Sequence, residues 1–162
     1  MGARARARHL IRSRNEVRTA DPYRDLDVLD ARAPRFNQAV IGSLSLLSFL
    51  AGWWPLLAIL AVQLLVGVTL GRRYCLPCLF YFEVLQPIFG EGELEDAGPP
   101  RFANWIGATV LACGSVAHAA GWHAAGWALG LLVAGLALLS AATSFCVGCQ
   151  IYRLAGRMRG ER

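Results

Sequence analysis

Residues 36–71, FNQAVIGSLSLLSFLAGWWPLLAILAVQLLVGVTLG, run for 36 residues without an Asp, Glu, Lys or Arg. Crossing the hydrocarbon core of a bilayer takes about 20 mainly apolar residues in a helix. The stretch therefore reads as two short spans, roughly 36–52 and 56–70, ending at Gly71-Arg72-Arg73. Between them Gly52-Trp53-Trp54-Pro55 joins a pair of chain breakers to two indoles, side chains that settle at the lipid–water interface. The first reading is a membrane helical hairpin.

Working outward, residues 102–152 form a second charge-free run, in which only His118 and His123 can carry charge. It holds spans at about 102–120 and 125–149 around a tip, Gly121-Trp122-His123. The two halves also match in detail. Pro34-Arg35-Phe36-Asn37 returns as Pro100-Arg101-Phe102-Ala103-Asn104, and each second span leads into a Cys-x-x-Cys pair, Cys75/Cys78 and Cys146/Cys149. The expected fold is an all-α integral membrane protein, four transmembrane helices arranged as two tandem pseudo-symmetric hairpins. A soluble bundle is disfavoured, because a chain of 162 residues that is 56% hydrophobic and 17% charged cannot cover four such helices with polar surface. Each repeat holds an even number of spans, so both run in the same direction. They are then related by an axis along the membrane normal, with both cysteine pairs on one face.

The organisation expected is a basic arm at 1–33, mobile or lying on the membrane surface, a membrane domain at 34–152 and a basic tail at 153–162. Repeat one covers 34–90 and repeat two 100–152. The acidic run between them, Glu91-Gly92-Glu93-Leu94-Glu95-Asp96, reads as a solvated turn. All sixteen basic residues are Arg. The first 35 residues hold nine against five acids, net +4, the connector at 72–101 is net −2, and the tail is net +3. Neither hairpin tip carries Arg or Lys. The positive-inside rule then places both termini and both cysteine pairs in the cytoplasm, in a multi-pass protein of the inner (plasma) membrane. Basic ends suit acidic lipid head groups. Without aromatic interleaving or a recognition motif, the arm gives no case for nucleic acid. Its Arg-rich start runs into Asp-rich sequence before any apolar run, unlike a cleavable signal peptide.

Chemistry centres on the cysteines. Cys113, alone in mid-span, reads as a small hydrophobe. Cysteines at i and i+3 share a helical face, and three readings of the two pairs stay open. One is thiol–disulfide or persulfide chemistry. Another is a tetrahedral four-thiolate site for zinc or iron, or a cluster, built from Cys75, Cys78, Cys146 and Cys149. The third is close packing without chemistry. Pro77 suits the first turn of a new helix, which sets Cys75 at a helix N-terminus beside Arg72 and Arg73, where a thiolate is favoured. Cys146 is expected to continue an outgoing helix, where the dipole opposes the anion; its activation then falls to Arg72, Arg73 or Arg153. His118 reads as a hydrogen-bonded packing residue and His123 as interfacial, both at the membrane face opposite the cysteines. Gly107, Gly114, Gly130 and Gly135 suit close helix contact. No hydrolase constellation and no Gly-rich phosphate loop is present.

Ala33-Pro34-Arg35-Phe36, Gly98-Pro99-Pro100-Arg101-Phe102-Ala103 and Ser144-Phe145-Cys146-Val147-Gly148-Cys149 with Tyr152 resemble the bacterial integral-membrane family catalogued as domain of unknown function 4395. The resemblance covers about residues 32–152 and leaves the long arm outside. Its Cys-x-Gly-Cys pair carries over to Cys146 and Cys149, whereas Cys75 and Cys78 lie outside the motif carried over. Members are often encoded near thioredoxin-like or rhodanese-like sulfurtransferase proteins, which implies a thiol or sulfur role. The resulting expectation is a membrane thiol protein that passes electrons or sulfane sulfur to such a partner through Cys146 and Cys149, and secondarily Cys75 and Cys78. It requires no cofactor. The alternatives are a membrane scaffold or accessory subunit, with or without a four-cysteine metal site, and a small transporter.

Overall fold

A computed structural model describes the backbone of residues 27–90, 92–143 and 145–158. The basic arm at 1–26 and the end of the tail at 159–162 lie outside the described residues. In chain order the elements are β1 (Val28–Asp30), α1 (Arg32–Leu50), α2 (Pro55–Thr69), a 3-10 turn (Arg72–Tyr74), α3 (Leu76–Phe89), β2 (Leu94–Asp96), α4 (Gly98–Ala119), α5 (His123–Thr143) and α6 (Val147–Met158). The fold is all-α apart from the two short strands.

Both expected hairpins form, and their tips show why. Helix α1 stops where Gly52 takes the left-handed conformation, φ 64°. Its N–H donates to the carbonyl of Phe49 at 3.1 Å, and that of Trp53 to Ser48 at 3.0 Å, which satisfies carbonyls the helix end would leave bare. Pro55 then opens α2, where a missing N–H does no harm. The second tip repeats the device: Gly121 has φ 83°, with Gly121 N–H on His118 at 3.0 Å and Trp122 N–H on Ala117 at 2.8 Å. In α3, Pro77 lies in the first turn as expected. A π-helical segment at Tyr81–Leu85 precedes Pro87, with Gln86 N–H on the Tyr81 carbonyl. Proline lacks an N–H and crowds the carbonyl four residues back, so widening the ladder just before it relieves both faults.

Helix α1 lies along α5, α2 along α4, α4 against α5, and α6 against α4, while α1 and α2 touch each other far less. Ile41, Leu57, Leu60, Leu64, Leu111 and Val133 form the core between them. Gly148 lets α6 come close: a Cβ there would stand 2.7 Å from that of Ala103.

The expected boundary between arm and domain moves. Residues 28–33 belong to the folded body, as β1 and the first turn of α1. The acidic run is likewise more than a turn, because Leu94–Asp96 is the strand β2, antiparallel to β1 with Leu29 opposite Glu95. Backbone pairing explains this: the carboxylates of Glu93 and Glu95 stay exposed while the main chain satisfies itself. The bonds here recur 66 residues apart. Ala31 N–H donates to Glu93 O and Ala97 N–H to Asp27 O, each at 2.9 Å. Asp30 Oδ1 accepts from Arg32 N–H and Asp96 Oδ1 from Gly98 N–H, again each at 2.9 Å.

Among the described residues, α5 alone is both long and apolar enough to cross a membrane, by length and composition. At 1.5 Å rise per residue the 15 residues of α2 reach only about 22 Å. Helices α1 and α4 are longer, but open on Arg32-Ala33-Pro34-Arg35 and Gly98-Pro99-Pro100-Arg101. Large apolar side chains nevertheless stand exposed on all four, among them Leu47, Leu50, Ile59, Val62, Val116 and Leu132.

Candidate functional site

Cys75 is the last residue before α3, in extended backbone at φ −85° and ψ 104°, and its carbonyl accepts from Leu79 N–H at 2.8 Å. One turn on stands Cys78, disulfide-bonded to it, with Cα atoms 5.2 Å apart. Cys75 is buried, with Asn37 Oδ1 3.8 Å from its sulfur and the backbone of Gly67 beneath its Cβ.

Cys146 occupies the matching place, against expectation. Helix α5 stops at Thr143, whose hydroxyl accepts from Phe145 N–H at 3.2 Å, and a new helix starts at Val147. Cys146 therefore precedes a helix N-terminus instead of continuing an outgoing helix. Cys149 N–H donates to Cys146 Sγ at 3.2 Å and Gln150 N–H to Cys146 O at 3.1 Å. The Cys149 N–H and the positive end of the helix dipole lie at this sulfur, a position that on general grounds suits an anion, and Cys75 likewise stands at a helix start. Cys146 and Cys149 are disulfide-bonded with the same Cα separation, 5.2 Å. Of the arginines expected to activate Cys146, the side chains of Arg72 and Arg153 lie outside the described residues.

Polar residues to which the sequence assigned no role adjoin the pairs. Gln38 Nε2 donates to Cys146 Sγ at 3.7 Å, while Gln38 Oε1 accepts from the Ser140 hydroxyl at 2.6 Å. Its neighbour Asn37 reaches Asn104, its counterpart in the other repeat, with Nδ2 3.5 Å from Oδ1. Consecutive amides in an otherwise apolar span were the available signal, since uncharged polar groups buried there need partners. Three cavities adjoin these groups. One of about 210 Å³ is lined by Asn37, Gln38, Asn104, Ser140 and Cys146 among mainly apolar residues. A second of about 210 Å³ is lined by Cys75, Cys78, Asn37, Asn104 and Arg101, whose guanidinium donates to the Val68 carbonyl at 3.3 Å. The third, about 190 Å³, holds Cys146 and Cys149 with Arg35 and Asp96.

Behind Cys78, Tyr81 is buried and donates its hydroxyl to Asp30 Oδ2 at 3.0 Å. Burial, reinforced by the bond to Asp30, pushes its phenol up to about 12. The second half has Tyr152 three residues past Cys149, its ring 5.7 Å from Phe102; the Phe36–Tyr81 pair stands at 6.0 Å.

The four paired cysteines do not assemble into one set of metal ligands. Among the described residues no three of Cys, His, Asp or Glu converge as a metal would require. Each pair closes on itself. Cys113 is a free, exposed thiol. His118 is buried between the rings of Trp54 and Trp127, with Nδ1 3.2 Å from that of His123, and the bare backbone of Gly126 makes room for its ring. That is the packing role expected of it.

No curated protein and no solved structure matches the chain. The family model described as domain of unknown function (DUF4395) matches residues 29–157, a span that includes both cysteine pairs and, apart from the first residue of β1 and the last of α6, every strand and helix, and the chain belongs to that family.

Proposed function

We propose that this is a membrane thiol–disulfide exchange protein, working through Cys146 and Cys149 with Cys75 and Cys78 as a second pair. The observation that carries the reading is the Cys149 N–H donated to Cys146 Sγ at a helix start, with the partner sulfur already in bonding contact. Such a thiol is both activated and resolved. In the reduced protein the Cys146 thiolate attacks the disulfide of a soluble thioredoxin-like partner, displaces one partner thiolate and forms a mixed disulfide. The Cys149 thiolate then attacks Cys146 sulfur and releases the second partner thiolate. Two electrons and two protons have moved, and Cys146–Cys149 is the new disulfide. The reverse sequence oxidises the partner.

The setting proposed is the bilayer of the inner membrane, with four spans formed by α1, α2, α4 and α5. Both termini and both cysteine pairs face the cytoplasm. Exposed leucine, isoleucine and valine on all four helices favour lipid around them, since monomeric soluble proteins rarely show contiguous apolar patches of this extent. The two hairpins are taken as tandem repeats about a pseudo-twofold axis. The bonds that recur 66 residues apart and the pairing of Leu29 with its own counterpart Glu95 support this.

The test uses protein reduced in nanodiscs and mixed with oxidised thioredoxin. Cys149→Ser is expected to trap a mixed disulfide on Cys146, and Cys146→Ser to abolish exchange. If both thiols stay unreactive to oxidised thioredoxin and to oxidised glutathione alike, the reading is wrong.

A further inference from the structure

We infer that the cavity beside Cys146 is a binding site for the ring of a membrane quinone, the two-electron acceptor that reoxidises the Cys146–Cys149 pair. The inference rests on the thiol–disulfide reading and names the reactant that would complete its cycle.

The lining carries the argument. Ile41, Leu64, Val110, Val133 and their neighbours form apolar walls, while the polar groups are Asn37, Gln38, Asn104, Ser140 and Cys146. Among the described residues, no Asp, Glu, Lys, Arg or His lines it. A nucleotide, an organic acid or a phospholipid head group would bury charge there without a partner, which is prohibitive. The other two cavities differ, since one holds Arg101 and the other Arg35, Glu95 and Asp96. Pockets for drug-sized ligands run to about 300–1,000 Å³, so a cavity of about 210 Å³ accepts a single substituted ring and leaves any tail outside.

The way in is lateral. Ile106, Leu132 and Leu136 line the cavity and are also 39%, 51% and 42% exposed, so its mouth opens onto the apolar flank of α4 and α5. A ligand enters from lipid, as a long-tailed molecule would. The amides of Gln38 and Asn37 line the cavity, and each has a second N–H, besides the one given to Cys146 or Asn104, to offer a ring carbonyl. A lipid tail would also fit the walls, but has no use for those donors or for a redox sulfur.

The step balances. The Cys146 and Cys149 thiols form their disulfide and deliver two electrons and two protons to the quinone, which leaves as the hydroquinone. Gln38 acts here as a binding and positioning residue, since it holds the Cys146 sulfur and the Ser140 hydroxyl together at the ring's edge.

The experiment uses full-length protein, reduced and freed of reductant, in nanodiscs, with decylubiquinone as the probe and its absorbance as readout. One hydroquinone per oxidised Cys146–Cys149 pair is expected. Gln38→Ala should raise the half-saturating quinone concentration about fivefold, the loss of one hydrogen bond. Leu136→Trp should block the mouth while exchange with thioredoxin continues. Exchange with thioredoxin without any quinone reduction overturns the inference and leaves the proposed function standing. Failure of both overturns both. Quinone reduction unaffected by Gln38→Ala and Leu136→Trp alike, or displaced equally well by decanoic acid, overturns the site.

Discussion

Cys75 and Cys146 begin their helices in the same way yet stand differently toward the outside. Cys75 is 5% exposed, pressed between Asn37 and the bare backbone of Gly67, with Arg101 in its cavity. Cys146 is half-buried, borders two cavities and leans on Gln38. Helix-start activation is thus common to both pairs, and access is what separates them. A protein with two equivalent dithiols has no reason to choose between them. Here the difference lies in the leading cysteines, Cys75 buried and Cys146 half-buried, while Cys78 and Cys149 are both half-buried.

The largest expected effect tests that difference directly. In reduced protein, iodoacetamide should label Cys146 at least about tenfold faster than Cys75, because attack needs an exposed thiolate. Cys146→Ser should lose all partner exchange, whereas Cys75→Ser should keep a measurable part. Equal labelling rates would break the comparison. A faster Cys75 would invert it.

The glycines beside each pair come next. An added methyl at Gly148 would lie 2.7 Å from Ala103 Cβ, whereas one at Gly67 would lie 3.1 Å from Cys75 Cβ. Helix α6 must shift in the first case; in the second, a few tenths of an ångström suffice. Gly148→Ala should therefore destabilise by about 1–3 kcal/mol and Gly67→Ala by less, read as loss of melting temperature in detergent. Gly148→Ala should also slow exchange, since Cys149 N–H moves away from Cys146 Sγ.

Much of this was legible in the sequence. Gly52 and Gly121 mark turns because only glycine takes their backbone conformation cheaply. Pro77 announces α3, and the repeat places both cysteine pairs. The break before Cys146 was harder to see, since Thr143-Ser144-Phe145 holds neither Gly nor Pro. Gly71 in the other repeat was the clue, because aligning Cys146 with Cys75 transfers the interruption. The strands were hidden for another reason. Acidic residues suggest solvent, and side-chain polarity carries no information about which main-chain groups will pair across 66 residues.

Asp30 and Asp96 sharpen the comparison at the level of the scaffold. Both accept an N–H at the start of a helix, but Asp30 is 2% exposed and also accepts from Tyr81 and Gly92, whereas Asp96 is exposed. Asp30→Ala should cost about 2–3 kcal/mol by orphaning buried donors, and Asp96→Ala about 1 kcal/mol as one exposed hydrogen bond lost. Similar losses at the two sites would mean that burial does not separate the halves.

The smallest effect is the pH dependence of Tyr81. Its phenol is raised from the usual 10.0 to about 12, first by burial and then by the bond it donates to Asp30. A raised pKa means that folding favours the neutral phenol, because the phenolate would lose both its solvation and its role as donor. The stabilisation is therefore complete below about pH 10. It declines as pH rises toward 12, once the unfolded chain can release a proton that the folded chain retains. Melting temperature measured from pH 9 to about 12 should fall for the natural protein. It should fall less for Tyr81→Phe, which has no proton to release, although that variant starts lower by about one hydrogen bond's worth, roughly 1 kcal/mol. Parallel curves for the two proteins would show that Tyr81 is not held by Asp30 in the folded state. The first cysteine pair would then lose the wall that stands behind Cys78.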